Sequence, residues 1–365
     1  MACEEAHPKP RPCARIEDLK IALDATYGLG ANLSGVGVYS RELLHGLATL
    51  QPDVEWSWHY RPQHWRHILF GTSPPEIRRR FLWEGRAPDC NLFHGLGQRL
   101  PAVFDILPRR VRTVATFHDL FVMNRQYSSP SFRERFTAQA REAARRADAI
   151  VAVSRFTAGQ VEELLGVEPG RIHVVPHGAR PLALPDGVAR QQAILCVGAL
   201  QRRKNTLALV RAFERLPCGW RLILAGSQGF DYAETIRPAI EASPRRADIE
   251  LPGWVDDVAL ARLYARASVF AFPSLDEGFG IPVLEAMAAG IPVLASNTSS
   301  LPEVCADAAL LVDPRSEEAI ASGLVRLIED SSLRADLIAR GRQRAGEFTW
   351  EQCARRTWEI YRAIG

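Results

Sequence analysis

The chain has 365 residues, a hydrophobic fraction of 47%, a charged fraction of 24% and a formal net charge of +3. This composition is typical of a globular protein with room for two domains, and the small net charge argues against a nucleic-acid partner. No run approaches the roughly 18 apolar residues of a membrane helix. Seven cysteines without a C-x-x-C pair predict neither a metal site nor a disulfide framework, and they favour a cytoplasmic location.

The first half of the chain is predicted to alternate between strands and helices. Its start, M-A-C-E-E-A-H-P-K-P-R-P, lacks the apolar centre of a secretory signal, so we expect residues 1–16 to be a disordered tail. We expect an N-terminal domain over 17–180. A strand at 20–26 leads through a glycine-rich turn into a helix at 38–50. Further strands are predicted at 54–59, 91–94, 111–117, 149–154 and 172–176, and helices at 131–147 and 156–165.

A proline-rich linker is predicted at 181–190, and the same alternation then restarts in a C-terminal domain over 191–347. The last segment, 348–365, contains a helix at 350–364. The whole pattern predicts an α/β fold of two doubly wound, Rossmann-like parallel-sheet domains that face a cleft. Ligands should bind at the carboxyl ends of the strands. Second-domain strands are predicted at 193–197, 221–225, 249–251, 269–272, 292–295 and 309–312, and helices at 206–216, 232–242, 257–266, 282–289, 317–329 and 333–347.

Two carboxylates lie in the segment S-L-D-E-G-F-G-I-P-V-L-E-A-M-A-A-G. Glu277 is in a glycine-rich loop, and Glu285 is in the opening turns of an otherwise apolar helix. Such a helix is normally buried, and a buried charge needs a partner. Glycines at the start of the helix expose N–H groups that attract phosphate. A nucleotide sugar would use all of these groups, through its ribose hydroxyls, diphosphate and hexose hydroxyls.

A second motif, V-G-A-L-Q-R-R-K-N, follows the first strand of the second domain and precedes a helix. Gly198 allows a close turn of the backbone, after which Arg203 and Lys204 point towards the start of the helix, where an anion would bind. Only three lysines occur in the chain, and a lysine at this position favours a phosphate contact over a basic surface loop.

Three motifs in the first half have both a functional and a structural interpretation. His118 ends a strand in T-F-H-D and should face the cleft, where it could contact a sugar hydroxyl; the alternative is a structural histidine. Gly35 and Gly37 open a helix, and either a backbone approach to an anion or a tight turn explains them equally well. His94 is as readily structural as it is an acceptor contact.

Two further motifs are less specific. In G-W-V-D-D, the backbone groups of Gly253 and Val255 could contact a nucleobase edge, although Asp256 is explained as a helix cap. The run R-R-R-F-L-W at 78–83 could contact anionic lipid. A surface helix with Phe81 and Trp83 turned inward is the favoured interpretation.

These motifs together resemble glycosyltransferase family 4, whose members are retaining enzymes of the GT-B fold, and the mannosyltransferase-like members in particular. The resemblance extends over about residues 20–361. It depends most on E-G-F-G-I-P-V-L-E-A-M-A-A-G-I-P-V, and also on G-A-L-Q-R-R-K-N, G-W-V-D-D, S-S-L-P-E-V, F-H-D, A-D-A-I-V-A-V-S-R-F-T and V-V-P-H-G. Many members have an arginine where this chain has Ala199, so either Arg202 or Arg203 is expected to replace it.

The resemblance implies that the N-terminal domain binds the acceptor and that the C-terminal domain binds the nucleotide sugar, and it implies a role for each motif. Glu285 would hold the ribose, while Glu277 and the backbone of Phe279 and Gly280 would hold the transferred sugar. Arg203 and Lys204 would neutralise the diphosphate. His118 would contact the sugar near its reactive carbon. The helix at 350–364 would cross back to brace the first domain.

The implied reaction is a metal-independent, cofactor-free transfer of a hexose, with GDP-mannose as the expected donor. The acceptor would be a glycan, a lipid-linked molecule or a small molecule, and a peripheral contact with the inner membrane face is left open. Retention is implied by the family alone. We hypothesise front-face attack by the acceptor, with the departing phosphate oxygen as base. Two rival functions remain, a nucleotide-sugar epimerase and a non-catalytic nucleotide-sugar sensor.

Overall fold

The computed structural model describes residues 19–29, 33–65, 77–106, 111–124, 127–180 and 182–365. The described residues form two α/β domains, each built on one parallel sheet. The predicted tail at 1–16 and residue 181 of the predicted linker lie outside them. Both sheets have central strands that are buried on both faces, because helices cover each side.

The first sheet has seven described strands in the order β3-β2-β1-β4-β5-β6-β7, and all neighbouring pairs are parallel. The order reverses direction between β1 and β4, where Ile21 pairs with Leu92, and such a reversal opens a crevice at the carboxyl edge. The strands are β1 (Lys20–Asp24), β2 (Glu55–Tyr60), β3 (Arg78–Phe81), β4 (Leu92–Gly95), β5 (Arg112–Phe117), β6 (Ala149–Ala152) and β7 (Ile172–Val174).

Three described α-helices belong to the first domain: α1 (Gly35–Leu50), α2 (Pro130–Arg146) and α3 (Arg155–Leu165). Helix α1 begins where the Ser34 hydroxyl accepts a hydrogen bond from the Gly37 N–H at 3.3 Å. Helix α3 begins in the same way at Ser154, and it ends at Gly166, whose φ of 66° is the left-handed conformation that favours glycine.

The second sheet has six described strands in the order β10-β9-β8-β11-β12-β13, again all parallel. Its reversal lies between β8 and β11. The strands are β8 (Gln191–Val197), β9 (Arg221–Ala225), β10 (Ile249–Gly253), β11 (Ala267–Phe272), β12 (Val293–Ser296) and β13 (Leu310–Val312). The described helices after β8 are α4 (Thr206–Glu214), α5 (Arg237–Glu241), α6 (Asp257–Arg266), α7 (Ile281–Ala288), α8 (Leu301–Cys305), α9 (Glu317–Glu329), α10 (Ser331–Gly346) and α11 (Trp350–Ile364).

The last helix, α11, packs against the first domain although it follows the second. Its Tyr361 hydroxyl lies 2.5 Å from Nδ1 of His94, whose Nε2 lies 2.8 Å from the Thr116 hydroxyl. Burial lowers the pKa of His94 to about 3. His94 is therefore neutral and ties α11 to the first sheet, which is the structural alternative of the sequence analysis. Trp358 adds a ring contact with Trp56 of β2.

The prediction of a surface helix at 78–83 is wrong. Residues 78–81 form β3, which pairs with β2 on one side only and is the outermost described strand of its sheet. The rings of Phe81 and Trp83 are 42% and 52% exposed instead of turned inward, and their centroids are 5.9 Å apart. The arginine-rich run resembled a surface helix because an edge strand has no need of a regular apolar face.

Candidate active site

A cavity of about 410 Å³ lies where the carboxyl ends of the two sheets meet. This volume falls within the usual range for a small-molecule site. Its walls come from the segments that follow β1, β5 and β7 in the first domain and β8, β9, β10 and β11 in the second. The cavity is thus at the place where doubly wound sheets bind their ligands.

Glu277 lies in the loop after β11 and is 6% exposed. One carboxylate oxygen is 2.5 Å from Lys204 Nζ, and the other is 3.1 Å from Arg203 Nη1. Burial acts to raise the pKa of Glu277, but Arg203 and Lys204 outweigh it and hold that pKa below its ordinary value. Glu277 is therefore ionised, and in the unliganded cavity it neutralises part of the charge of two cations.

The two cations are positioned by a short 3₁₀ turn, Arg202–Lys204, which leads into α4. Asn205 closes the turn in the left-handed conformation, and its amide donates to the carbonyls of Pro273 and Pro314 at 3.0 and 2.7 Å. The Lys204 side chain is 13% exposed, and its Nζ lies 4.6 Å from the centre of the Phe272 ring. Burial lowers the pKa of Lys204, while Glu277 opposes that shift.

Glu285 of α7 is 2% exposed and has two partners. One oxygen accepts from Arg180 Nε at 2.8 Å and the other from the Tyr264 hydroxyl at 2.8 Å. Arg180 also donates to Asp257 at 2.6 Å. Burial acts to lower the pKa of Arg180, but the Glu285 carboxylate outweighs it and raises that pKa. The partner that a buried Glu285 requires is thus an arginine 105 residues earlier.

Two helices begin at the wall of the cavity. Helix α7 follows Gly280, whose φ of 108° brings the chain out of the loop and whose side-chain-free Cα lies against Leu301. Helix α1 begins at Gly35, which lines the cavity and faces open space. Both starts present N–H groups and the positive end of a helix dipole to the cavity.

His118 follows β5 and lines the cavity while remaining 7% exposed. Its Nε2 donates to the Leu96 carbonyl at 2.9 Å, and its ring makes an edge contact with Tyr39 at 4.7 Å. Burial lowers its pKa to about 4, so the ring is neutral near pH 7 and Nδ1 remains an acceptor. His177 lies beside it, with ring centroids 5.5 Å apart, and burial lowers its pKa as well.

The two domains contact each other next to the cavity. The Cα of Gly278 packs so closely on the His118 carbonyl that an added Cβ would lie 1.7 Å from that oxygen. The Thr157 hydroxyl donates to the Gly278 carbonyl at 3.2 Å. The Glu303 carboxylate accepts from the N–H groups of Arg155 and Phe156, at 3.2 and 3.5 Å, and so caps α3 from across the cleft. The loop that carries Glu277 is therefore held by the first domain.

The cavity wall includes ten of the thirteen predicted site residues: Gly35, His118, Gly198, Arg203, Lys204, Val255, Glu277, Phe279, Gly280 and Glu285. Gly37, Arg202 and Gly253 are not in the wall. Gly37 packs against the backbone of Tyr27 instead, so closely that an added Cβ would lie 2.8 Å from the Tyr27 carbonyl oxygen. Arg202 is exposed, whereas Arg203 is buried and lines the cavity. Asp256 caps α6, accepting from the Ala259 N–H at 2.8 Å.

The sequence analysis missed Arg180 and Asp119 and did not single out Trp254 and Asp257 as cavity-wall residues. Arg180 comes two residues after V-V-P-H-G, and that motif was a signal that went unused because the next residues looked like a linker. Asp119 is the last residue of T-F-H-D, in which only His118 was given a functional role. Trp254 and Asp257 lie in G-W-V-D-D, a motif that the start of helix α6 already explained.

Comparison with known proteins accounts for both halves of the chain. Residues 33–181 match the family model described as Glycosyltransferase Family 4, and residues 188–344 match Glycosyl transferases group 1. The O-antigen chain mannosyltransferase B of Escherichia coli is 31% identical over 383 residues, which covers 93% of this chain and 99% of that protein.

Solved structures share the two-domain arrangement. A sucrose-phosphate synthase from Thermosynechococcus elongatus superposes with a TM-score of 0.75 at 23% identity, covering 95% of this chain and 99% of that one. Alr3699/HepE of Anabaena, in complex with UDP-glucose, gives a TM-score of 0.74 at 18% identity, covering 95% and 100%. Within the described residues, none of the helices has both the length and the apolar character needed to cross a membrane.

Proposed function

This chain belongs to glycosyltransferase family 4, and we propose that it transfers a mannosyl group from GDP-mannose to a hydroxyl of a glycan acceptor, with retention of anomeric configuration. It is a glycosyltransferase of the GT-B fold, with mannosyltransferase relatives. The mannosyl group, the guanosine diphosphate, the glycan acceptor and retention are the proposed part.

One observation carries the proposal: two buried carboxylates, each paired with cations, lie in the wall of one cavity between two helix starts. Glu285 would accept the ribose hydroxyls and Glu277 the hydroxyls of the hexose. The diphosphate would lie between them, near Arg203, Lys204 and the starts of α1 and α7. The hydroxyl groups of the nucleotide sugar would then donate to carboxylates, and its diphosphate would lie near cations and helix N–H groups.

The reaction needs charge stabilisation more than covalent chemistry. As the bond from C1 to the phosphate oxygen breaks, positive charge develops on the sugar and negative charge on the diphosphate. Arg203 and Lys204 stabilise the departing diphosphate from a site where water is scarce, which makes their effect larger than it would be in solution. The diphosphate competes with Glu277 for these cations, so donor binding frees Glu277 to accept from the sugar.

Guanosine is favoured as the nucleoside by the groups beyond Glu285. Trp254 presents a ring that is 43% exposed, and the Asp257 carboxylate lies in the same wall. A guanine edge offers neighbouring N–H donors to a carboxylate, whereas uracil offers one. We expect Asp257→Asn to lower the affinity for GDP more than the affinity for UDP. Equal effects on both nucleotides would remove the support for guanosine.

A donor panel tests the function. GDP-mannose, GDP-glucose, UDP-glucose and UDP-N-acetylglucosamine are each incubated with a mannose-containing oligosaccharide, and release of nucleoside diphosphate is measured with and without the acceptor. The expected result is acceptor-dependent release of GDP from GDP-mannose and a product with a new α-linked mannose by NMR. Conversion of the donor sugar without acceptor would instead indicate an epimerase. A new linkage of inverted configuration would contradict retention.

The cytoplasmic location and the peripheral membrane contact remain proposals. The membrane contact is supported by the exposed rings of Phe81 and Trp83 next to the arginines of the edge strand β3. The wild-type protein should sediment with vesicles that contain about 30% anionic lipid. A Phe81→Ser, Trp83→Ser double variant should remain in the supernatant. Equal sedimentation of the two proteins would refute the contact.

A further inference from the structure

Arg41 of helix α1 brings a side chain of the first domain to the cavity, next to a carboxylate of the second domain. Both Arg41 and Asp257, the first residue of α6, line the cavity. The Arg41 Nη2 lies 3.9 Å from an Asp257 oxygen, and its Nε donates to Glu42 at 3.2 Å. Glu42 therefore holds one side of the guanidinium, while the other side reaches across the cleft.

A chain of ion pairs connects Asp257 to the residue assigned to the ribose. Glu285 accepts from Arg180 at 2.8 Å, and Arg180 donates to Asp257 at 2.6 Å. Because a single guanidinium separates the two carboxylates, a nucleoside whose ribose contacts Glu285 would have its base near Asp257 and Arg41. The exposed ring of Trp254 lies in the same wall and offers the base a face for stacking.

The position of Arg41 along α1 agrees with this placement of the base. Gly35, the first residue of the helix, lies in the region assigned to the diphosphate, and Arg41 is in the same helix. At 1.5 Å per residue the two are about 9 Å apart along the helix axis, a separation of the size of a nucleoside. One helix can thus contact the diphosphate with its start and the base with Arg41.

The contact between Arg41 and Asp257 is incomplete without a ligand. At 3.9 Å the two atoms are too far apart for a hydrogen bond. The Arg41 side chain is 36% exposed and the Asp257 side chain 60%. A donor and an acceptor at this separation can each bind one of two neighbouring groups on the edge of a base, which would then bridge the gap.

We propose that Arg41 and Asp257 together select the base of the donor by its keto edge. Arg41 donates to O6 of guanine, an acceptor, and Asp257 accepts from the neighbouring N1–H and amino group. Adenine presents an amino group and an unprotonated ring nitrogen at the same positions, so each of its groups would meet the wrong partner. This inference rests on the proposed function, to which it adds a specificity-determining residue from the first domain.

Calorimetry with inosine diphosphate and ADP tests the assignment, because these purine nucleotides differ only in the keto edge. The wild type should bind inosine diphosphate at least about 30-fold more tightly than ADP. Arg41→Ala should bind inosine diphosphate about tenfold more weakly than the wild type does, and ADP with the same affinity. Arg211→Ala is the matched control, since Arg211 pairs with Glu317 at 2.8 Å outside the cavity wall. That variant should keep the wild-type preference.

A second nucleotide, 6-thioguanosine diphosphate, separates a direct contact from an indirect one. Its sulfur replaces O6 and is a weaker acceptor, while the N–H groups assigned to Asp257 remain. The wild type should bind it about three- to tenfold more weakly than GDP, and Arg41→Ala should bind the two equally. The same ratio in both proteins would overturn the proposal, because Arg41 would then act only by positioning Asp257.

The outcomes also distinguish this inference from the function on which it rests. Equal affinities of the wild type for inosine diphosphate and ADP would overturn the role of Arg41, even if the protein transferred mannose from GDP-mannose. Expected nucleotide preferences without transfer from any donor would refute the proposed function and support the assignment of Arg41.

Discussion

Replacing Glu285 with glutamine should separate donor binding from folding. The carboxylate accepts two hydrogen bonds, from Arg180 Nε and the Tyr264 hydroxyl, both at 2.8 Å. Breaking a buried ion pair costs about 3–5 kcal/mol, but Arg180 retains Asp257 at 2.6 Å. We therefore expect Glu285→Gln to lower the free energy of unfolding by roughly 2 kcal/mol, at the level of a single charged hydrogen bond.

The effect on the donor follows from the same chemistry. A glutamine oxygen can accept from one ribose hydroxyl without the help of a charge, so we expect roughly 2 kcal/mol of lost binding, or about a 30-fold weaker Kd. At a donor concentration of 100 times the wild-type Kd, the donor stabilises the wild type by about 2.7 kcal/mol. The same concentration should stabilise the variant by only about 0.9 kcal/mol.

Differential scanning fluorimetry with GDP-mannose measures this difference. For domains of this size, about 2.7 kcal/mol corresponds to a shift in Tm of roughly 8 °C, and the variant should shift by roughly 3 °C. Tyr264→Phe is the matched control, because it removes the other partner of Glu285 and leaves the carboxylate and Arg180 in place. Its donor-induced shift should stay close to that of the wild type. A full shift in Glu285→Gln would refute the assignment of the ribose to this residue.

Three more predictions concern the cations, the domain contact and pH. Lys204→Ala should weaken donor binding, measured by calorimetry, by about 10–100-fold. Arg202→Ala should leave donor binding unchanged, because the Arg202 side chain is exposed outside the cavity wall. Equal losses of affinity in the two variants would contradict a specific contact between Lys204 and the diphosphate. Glu303→Ala removes the carboxylate that caps α3 across the cleft. Since a helix cap is worth about 1 kcal/mol, the change should lower kcat by about fivefold without changing the donor Kd. An unchanged kcat would show that this contact between the domains has no part in the reaction. His118 is neutral in the folded protein, with a pKa of about 4 against 6.5 in the unfolded chain. The unfolded state therefore binds more protons at acid pH, and the free energy of unfolding should fall by roughly 3 kcal/mol as pH drops from 6.5 to 4. Chemical denaturation of His118→Gln should show a shallower decline with pH, and a decline identical to that of the wild type would mean that His118 is not buried as a neutral ring.

The fold was predictable because most strands are short, apolar runs between helical patterns. Strand β9 and helices α6, α9 and α11 have the predicted bounds. The pattern failed at β3, where three consecutive arginines leave no apolar alternation. A strand at the edge of a sheet is specified by its pairing with the neighbouring strand, in which Arg79 lies opposite Trp58, and a single sequence does not reveal that pairing.

The second-domain part of the site was predictable because its groups lie in two local motifs, each between a strand and a helix. Glu277, Glu285 and Lys204 could be placed by the rule that ligands bind at the carboxyl ends of parallel strands. Arg180 and Asp119 could not be placed, because the carboxylate that pairs with Arg180 is 105 residues away and Arg203, the charged group that acts most on Asp119, belongs to the other domain. The difference between Gly35 and Gly37 also depends on packing, since one faces the cavity and the other faces the Tyr27 backbone.

A crystal structure of the chain with GDP-2-deoxy-2-fluoromannose would show whether the donor binds in this cavity. We expect the ribose hydroxyls to lie within hydrogen-bond distance of Glu285 and the diphosphate to contact Arg203 and Lys204. Glu277 should then contact the sugar, with its separation from Lys204 Nζ increased from 2.5 Å. A donor bound outside this cavity, or one whose diphosphate lies away from Lys204 while the pair with Glu277 stays intact, would contradict it.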